Sequence, residues 1–192
     1  MTSPQLWNLP NVLTMLRIVL VPFFIWFMLE DASSYGPWRW TAVVAFVVAI
    51  YTDKLDGDIA RKRGQVTDFG KIADPIADKL LIGSALILLS ALNELPWWIT
   101  ILMLVREVGI TALRFVVIRY GVIPASRGGK LKTVLQTLAI FLFILPLKGL
   151  IPWLGTAAFY VMLVALAVTL VTGVDYIVHA IRMRSLARAA RR

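Results

Sequence analysis

Six stretches of this chain are each apolar and long enough to cross a bilayer as a helix, which takes about 20 residues. They run over roughly residues 9–30, 38–57, 75–93, 96–118, 131–149 and 152–181. Backbone in hydrocarbon must satisfy its own hydrogen bonds, and at this length only helices do so. The pattern predicts an all-α integral membrane protein of six transmembrane helices, forming one membrane-embedded domain over residues 1–192 without internal repeats. A hydrophobic content of 59% agrees, since soluble domains hold roughly 45–50%. The breaks carry turn chemistry: Ser33, Ser34, Gly36 and Pro37; Gly64 to Gly70; Asn93 to Pro96; Gly121 to Gly129; Gly149 to Pro152. The first run has no basic segment before it and no small-residue cleavage pattern after it, so it reads as a retained span.

The placement of charge sets the orientation. Of the 20 Lys and Arg, 13 lie in the second connection (Arg61, Lys62, Arg63, Lys71), the fourth (Arg119, Arg127, Lys130, Lys132) and the C-terminal tail (Arg182, Arg184, Arg188, Arg191, Arg192). The opposite face holds Arg39 and Lys148. By the positive-inside rule, both termini and the second and fourth connections are expected in the cytoplasm. Trp38, Trp40, Trp97, Trp98 and Trp153 fall at the other boundary, where amphipathic rings are comfortable. The net charge of +9 is thus expected to face anionic lipid, with the tail over about 182–192 at the surface and residues 1–8 along the interface through Trp7. A nucleic-acid partner is not expected.

Cysteine is absent and His179 is the single histidine. Any metal must therefore sit mainly on carboxylates, which select a hard cation. Of the 11 acidic residues, six (Asp53, Asp56, Asp58, Asp68, Asp74 and Asp78) fall between positions 53 and 78, where two spans meet the cytoplasm. An ionised aspartate near hydrocarbon costs at least about 2.5–3.5 kcal/mol, so the group calls for bound cations. Asp53 and Asp56 are three apart and share a helix face, which Gly57 and Ala60 continue; Asp74 and Asp78 are four apart and share another. Pro75 suits the first turn of the third span. Two helices each presenting two carboxylates can hold two cations, whereas Asp58 and Asp68 lie off the shared faces.

Gly57 and Ala60 keep the site shallow, Gly70 permits a loop conformation that other residues resist, and Arg61 offers a forked donor suited to phosphate. Carboxylate-held metal, glycine and arginine together describe a diphosphate site. The competing explanation is ordinary pairing of the aspartates with Lys54, Arg61, Lys62, Lys71 and Lys79.

The stretch reads D53-x2-D56-G57-x2-A60-R61-x8-G70-x3-D74-x3-D78, eight fixed residues in 26 positions, and it resembles the signature of the CDP-alcohol phosphotransferase family. NLPNVLTMLRI, DFGKIADPIADKLL, REVGITALRF and YGVIPASRGGKLKTVLQ look like the phosphatidylglycerophosphate synthase branch of that family. The resemblance implies a six-helix membrane fold, a homodimer, and transfer of a phosphatidyl group from CDP-diacylglycerol to an alcohol with release of CMP. It further implies that Asp53, Asp56, Asp74 and Asp78 bind two divalent cations, Mg2+ or Mn2+, with Asp78 also the general base. CDP-lipid binding would fall to Asn11, Thr14, Asp56, Gly57, Arg61, Thr67 and Gly70. The setting it implies is bacterial anionic phospholipid synthesis in the cytoplasmic membrane, the site facing the cytoplasm.

A glycerol 3-phosphate acceptor needs fixed cations for its phosphate. Arg106, Arg114 and Arg119 on the fourth helix and Lys130 and Lys132 on the fifth offer them. Arg106 lies within an apolar span, where arginine is a functional candidate, though a pair with Glu107 or Asp175 would also explain it. The nearest alternatives keep the chemistry and change the acceptor, to inositol phosphate or to phosphatidylglycerol in a cardiolipin synthase. A cation transporter or channel is a different class, disfavoured because the acids gather at one membrane face. Asp175 and His179 are four apart and are read as a structural pair.

Overall fold

The computed structural model describes residues 8–63, 67–117, 127–147 and 151–189, with the backbone alone at 61, 63, 68, 71, 114–117, 127–128, 152 and 184–189. They form six helices, α1 (Leu9–Asp31), α2 (Pro37–Arg63), α3 (Asp68–Ala91), α4 (Trp97–Val117), α5 (Arg127–Ile144) and α6 (Pro152–Ala189), and no strand occurs among the described residues. Helix α1 packs most extensively on α2 and also on α3, α5 lies along α6, and α4 packs on α6; α3 also touches α4 and α5.

Local chemistry starts these helices. Asn8 caps α1 by accepting from the Asn11 N–H at 2.9 Å, and Pro10 sits in the first turn, where its missing N–H is harmless. Thr67 caps α3, its Oγ1 accepting from Gly70 N–H at 3.0 Å. The third helix therefore begins at Asp68, about two turns before the start expected from Pro75. Pro75 is interior and leaves one carbonyl without its usual donor. Gly70 is correspondingly helical and not in a loop. A capping hydroxyl settles the start more firmly than hydropathy, because residues 68–74 are too polar for a span but helical all the same.

The interior is built from Phe24, Phe46, Leu86, Leu89, Met103 and Ile140, all essentially inaccessible, with Ala42, Ala49, Ala77, Ala85, Ala158 and Ala165 allowing close helix approach. Large apolar side chains also cover the outside: Val19, Phe23, Val44, Ile87, Val105, Val134, Val164 and Val171 are all exposed. Two helical segments, Leu9–Asp31 and Trp153–Met183, are long and apolar enough to cross a membrane on their own composition. The others carry more charge; α2 alone contains Asp53, Lys54, Asp56 and Asp58.

Where α1 turns into α2, Ala32, Ser33 and Tyr35 all adopt positive φ (44°, 65° and 55°), which non-glycine residues resist. The Asp31 carboxylate holds the turn, accepting from Ser34 Oγ (3.1 Å), Tyr35 N (3.2 Å) and Gly36 N (2.9 Å). Beneath it lies Arg39, counted by sequence as a charge on the outer face but fully buried. It donates to Glu94 Oε2 at 2.6 Å and to the carbonyls of Ile144 (2.9 Å) and Phe143 (3.1 Å), and it lies 3.7 Å from Asp31 Oδ2. One guanidinium thus ties the first turn, the third turn and the C-terminal end of α5 together.

Candidate active site

At the opposite end of the bundle, the finish of α2 and the start of α3 meet the first half of α1. The buried face of α1 repeats every three or four residues as Asn11, Thr14, Arg17, Val21, Phe24 and Met28, polar at this end and apolar beyond. Asp53 and Asp56 share one face of α2, and Asp74 and Asp78 one face of α3.

Helix α1 joins the two pairs. Thr14 Oγ1 donates to Asp74 Oδ1 at 2.6 Å and lies 3.4 Å from Asp56 Oδ2, so one hydroxyl spans carboxylates of two helices. Arg17 spreads its guanidinium across the other pair, Nη1 bonding Asp53 Oδ1 at 2.5 Å and Nη2 bonding Asp56 Oδ2. Arg17 is fully buried and Asp56 nearly so, whereas the Asp53 side chain is 46% exposed. Asp78 lies within electrostatic reach of Asp53, and of Glu107 and Lys132 on the far side. An arginine from another helix thus pairs with both Asp53 and Asp56. Sequence reasoning missed it, although an arginine in an apolar span is the same signal that singled out Arg106.

Asn11 and Thr67 extend the cluster. Thr67 Oγ1 donates to Asn11 Oδ1 at 2.7 Å while accepting from Gly70 N. Gly70 lies under them, and a Cβ there would sit 3.3 Å from both Asn11 Oδ1 and Thr67 Oγ1 and 3.7 Å from Asp74 Oδ2. The glycine is needed for close approach, not for loop freedom. Gly70→Ala is expected to leave the melting temperature nearly unchanged, because the gain of about 1 kcal/mol in helix propensity offsets the crowding. The kcat/KM should fall roughly tenfold, since small displacements of positioning groups are costly. Parallel melting curves and initial rates check this.

Among the described residues, no group of three carboxylate or imidazole side chains is closed into a cage that could hold an ion. The donor chemistry still fits a hard divalent cation: four carboxylates, two per helix, supply oxygen only. An ionised carboxylate accepts at both oxygens, so a bond from Arg17 or Thr14 to one does not consume the other.

Beside the aspartates, a cavity of ≈ 120 Å³ opens between α3, α4 and α5. Asp78, Lys79, Glu107 and Lys132 line its polar part, and Ile82, Leu86 and Met103 line its apolar part. Lys132 is buried and bonds Glu107, and Lys79 Nζ donates to Thr111 Oγ1 at 2.8 Å. Of the five cations expected to receive the acceptor phosphate, Lys132 shares this cavity with Asp78. Lys130 is exposed on the first turn of α5 and is not among the cavity's lining. Arg106 is directed at α6, donating to Thr169 O and Thr172 Oγ1 at 3.0 Å each and lying against Gly173, with Glu107 3.6 Å away. The expected alternative pairing of Arg106 with Glu107 is therefore part of its setting. The side chains of Arg61 and Arg114, and all of Arg119, lie outside the described residues. His179 Nδ1 approaches its own helix at Asp175 O, 2.9 Å, and Asp175 Oδ1, 3.4 Å, on an exposed surface.

The sequence matches the family model described as CDP-alcohol phosphatidyltransferase over residues 7–174. It is similar to a protein of Mycobacterium tuberculosis (strain H37Rv) named probable phosphatidylglycerophosphate synthase, 53% identical over 175 residues covering 91% of this chain and 82% of that one. It is also similar to the CDP-diacylglycerol–glycerol-3-phosphate 3-phosphatidyltransferases of Bacillus subtilis (strain 168), 40% identical with 70% and 75% of the two chains covered, and of Rickettsia felis, 39% identical with 88% and 93% covered.

Proposed function

Since this chain belongs to the CDP-alcohol phosphatidyltransferase family, we propose that it transfers the phosphatidyl group of CDP-diacylglycerol to sn-glycerol 3-phosphate, giving phosphatidylglycerophosphate and CMP. The observation that carries the acceptor half of this reading is that Asp78 and Lys132 line one cavity, a carboxylate for the hydroxyl and a cation for the phosphate. At ≈ 120 Å³ the cavity is below the ~300–1,000 Å³ of common ligand clefts, which favours a small polar acceptor over a second phospholipid.

In this reading Asp53, Asp56, Asp74 and Asp78 would hold two divalent cations, Mg2+ or Mn2+. Bound there, they would supply the positive charge that neutralises a diphosphate and stabilises a departing CMP. Asn11, Thr14, Gly57, Arg61, Thr67 and Gly70 form the CDP-lipid side, with Gly70 keeping the approach open and Arg61 offering a fork to phosphate. The acceptor hydroxyl oxygen attacks the phosphorus next to diacylglycerol, its proton passes to the Asp78 carboxylate, and the bond from that phosphorus to the oxygen of CMP breaks. Lys132 exchanges Glu107 for the acceptor phosphate, with Lys130, Arg106, Arg114 and Arg119 as further cations of that end. The chain offers no dedicated serine or cysteine nucleophile, which favours direct displacement.

The same reading makes all six helices spans of a single catalytic domain in the bacterial cytoplasmic membrane, with site and termini cytoplasmic and the protein a homodimer. Exposed apolar side chains around the bundle, exposed Trp38, Trp40, Trp97, Trp98 and Trp153 at the end away from the aspartates, and basic residues at the other support the membrane reading; the homodimer rests on the family resemblance.

Purified protein given CDP-diacylglycerol, glycerol 3-phosphate and Mg2+ should release CMP, and chelation should stop it. Release with inositol phosphate or phosphatidylglycerol but not with glycerol 3-phosphate would reassign the acceptor. Cation flux in proteoliposomes lacking lipid substrate would move the protein to another class.

A further inference from the structure

We propose that Arg17 is a positioning residue of the aspartate site: its guanidinium fork sets the spacing and direction of Asp53 and Asp56 so that the two carboxylates receive a divalent cation together. The inference rests on the metal reading above and adds a residue from a helix outside the signature.

Three features distinguish Arg17 from a simple counter-ion. Its two terminal nitrogens bond different carboxylates, Asp53 Oδ1 and Asp56 Oδ2, which are three residues apart on α2. Such a planar bridge fixes the separation and tilt of the two acceptors, whereas a point charge fixes neither. The side chain is also 1% exposed and its Nε has no hydrogen-bond partner. The bonds that hold this guanidinium are at its tip, to the two carboxylates. Finally, Thr14, one turn before it on the same face of α1, acts on the neighbouring acids, its hydroxyl bonding Asp74. Helix α1 thereby orients one carboxylate of α3 and two of α2 from behind, as outer groups commonly orient metal ligands.

Two accounts of Arg17 predict opposite signs. As a mere neutralising charge, it repels an incoming cation, and its removal would tighten binding. As a positioning group, its removal loosens the ligands and weakens binding, typically 10- to 100-fold for an outer partner.

The test is Mn2+ affinity, read by electron paramagnetic resonance of free Mn2+ and by calorimetry, on folded protein in detergent. Arg17→Lys keeps the charge but cannot bridge both carboxylates, and its affinity should fall about tenfold. Arg17→Gln should bind Mn2+ more weakly still, although the site gains net negative charge. Melting curves without added metal establish that each variant is folded. Wild-type affinity in Arg17→Lys, or equal or tighter binding in Arg17→Gln, overturns the proposal. Failure of both variants to fold also overturns it, by making Arg17 a structural counter-ion. Absence of Mn2+ binding by the wild-type protein sinks the metal reading itself, a separate result.

Discussion

Asp78→Asn is expected to slow CMP release by about 10²–10⁴-fold, the contribution of a positioned general base. Asn keeps the shape and one carbonyl oxygen but cannot take up the acceptor proton. Asp78 stands one turn after Asp74 on α3 and lines the cavity that also holds Lys132 and Glu107. In the proposed reading it is therefore the signature aspartate that would face both the cluster and the acceptor. The loss should fall on kcat, with KM for CDP-diacylglycerol held within a few-fold. A raised KM with a nearly normal kcat would reduce Asp78 to a binding group. Asp58→Asn is the control: lying off the shared faces of the two aspartate pairs, it should change the rate by less than roughly twofold.

The largest stability effect is expected at the other end of the bundle. Arg39→Met should cost about 3–5 kcal/mol, the usual consequence of removing one partner of a buried ion pair. Its loss takes the guanidinium from beside two buried acids, the Asp31 and Glu94 side chains being 0% and 5% exposed, and removes a donor to the carbonyls of Phe143 and Ile144. Tyr35, over whose ring the guanidinium sits at 5.1 Å, is affected too. Burial, aided by the Glu94 carboxylate, raises its phenol above the ordinary range. A domain of this size loses about 2–4 °C per kcal/mol, so the midpoint in detergent should drop by roughly 6–20 °C. Activity below that midpoint should persist, because the aspartates are at the far end. Adding Glu94→Gln should recover part of the loss, and an unchanged midpoint in the single variant would show that the buried network contributes little.

The aspartate faces were legible because helical spacing is local. Asp53 with Asp56, and Asp74 with Asp78, lie within one turn of each other, and α2 and α3 are continuous through them. The six helices were legible for a similar reason, since apolar runs and turn residues mark them without reference to neighbours. The start of α3 was not, because the hydroxyl of Thr67 caps a polar turn that hydropathy excludes. Gly70 changed its explanation with it, from loop freedom to space beside Asn11 and Thr67.

The sequence by itself determined which residues share a helix face, where the charges concentrate and which signature they spell, because each depends on contacts within a few residues. Only the tertiary structure decided that Arg17 clamps Asp53, that Glu107 holds Lys132, that Arg106 turns to α6 and that Arg39 closes the far end. Those partners are 36, 25, 63 and up to 105 residues apart along the chain. Helical periodicity says which way a side chain points on its own helix, and packing alone says what it meets.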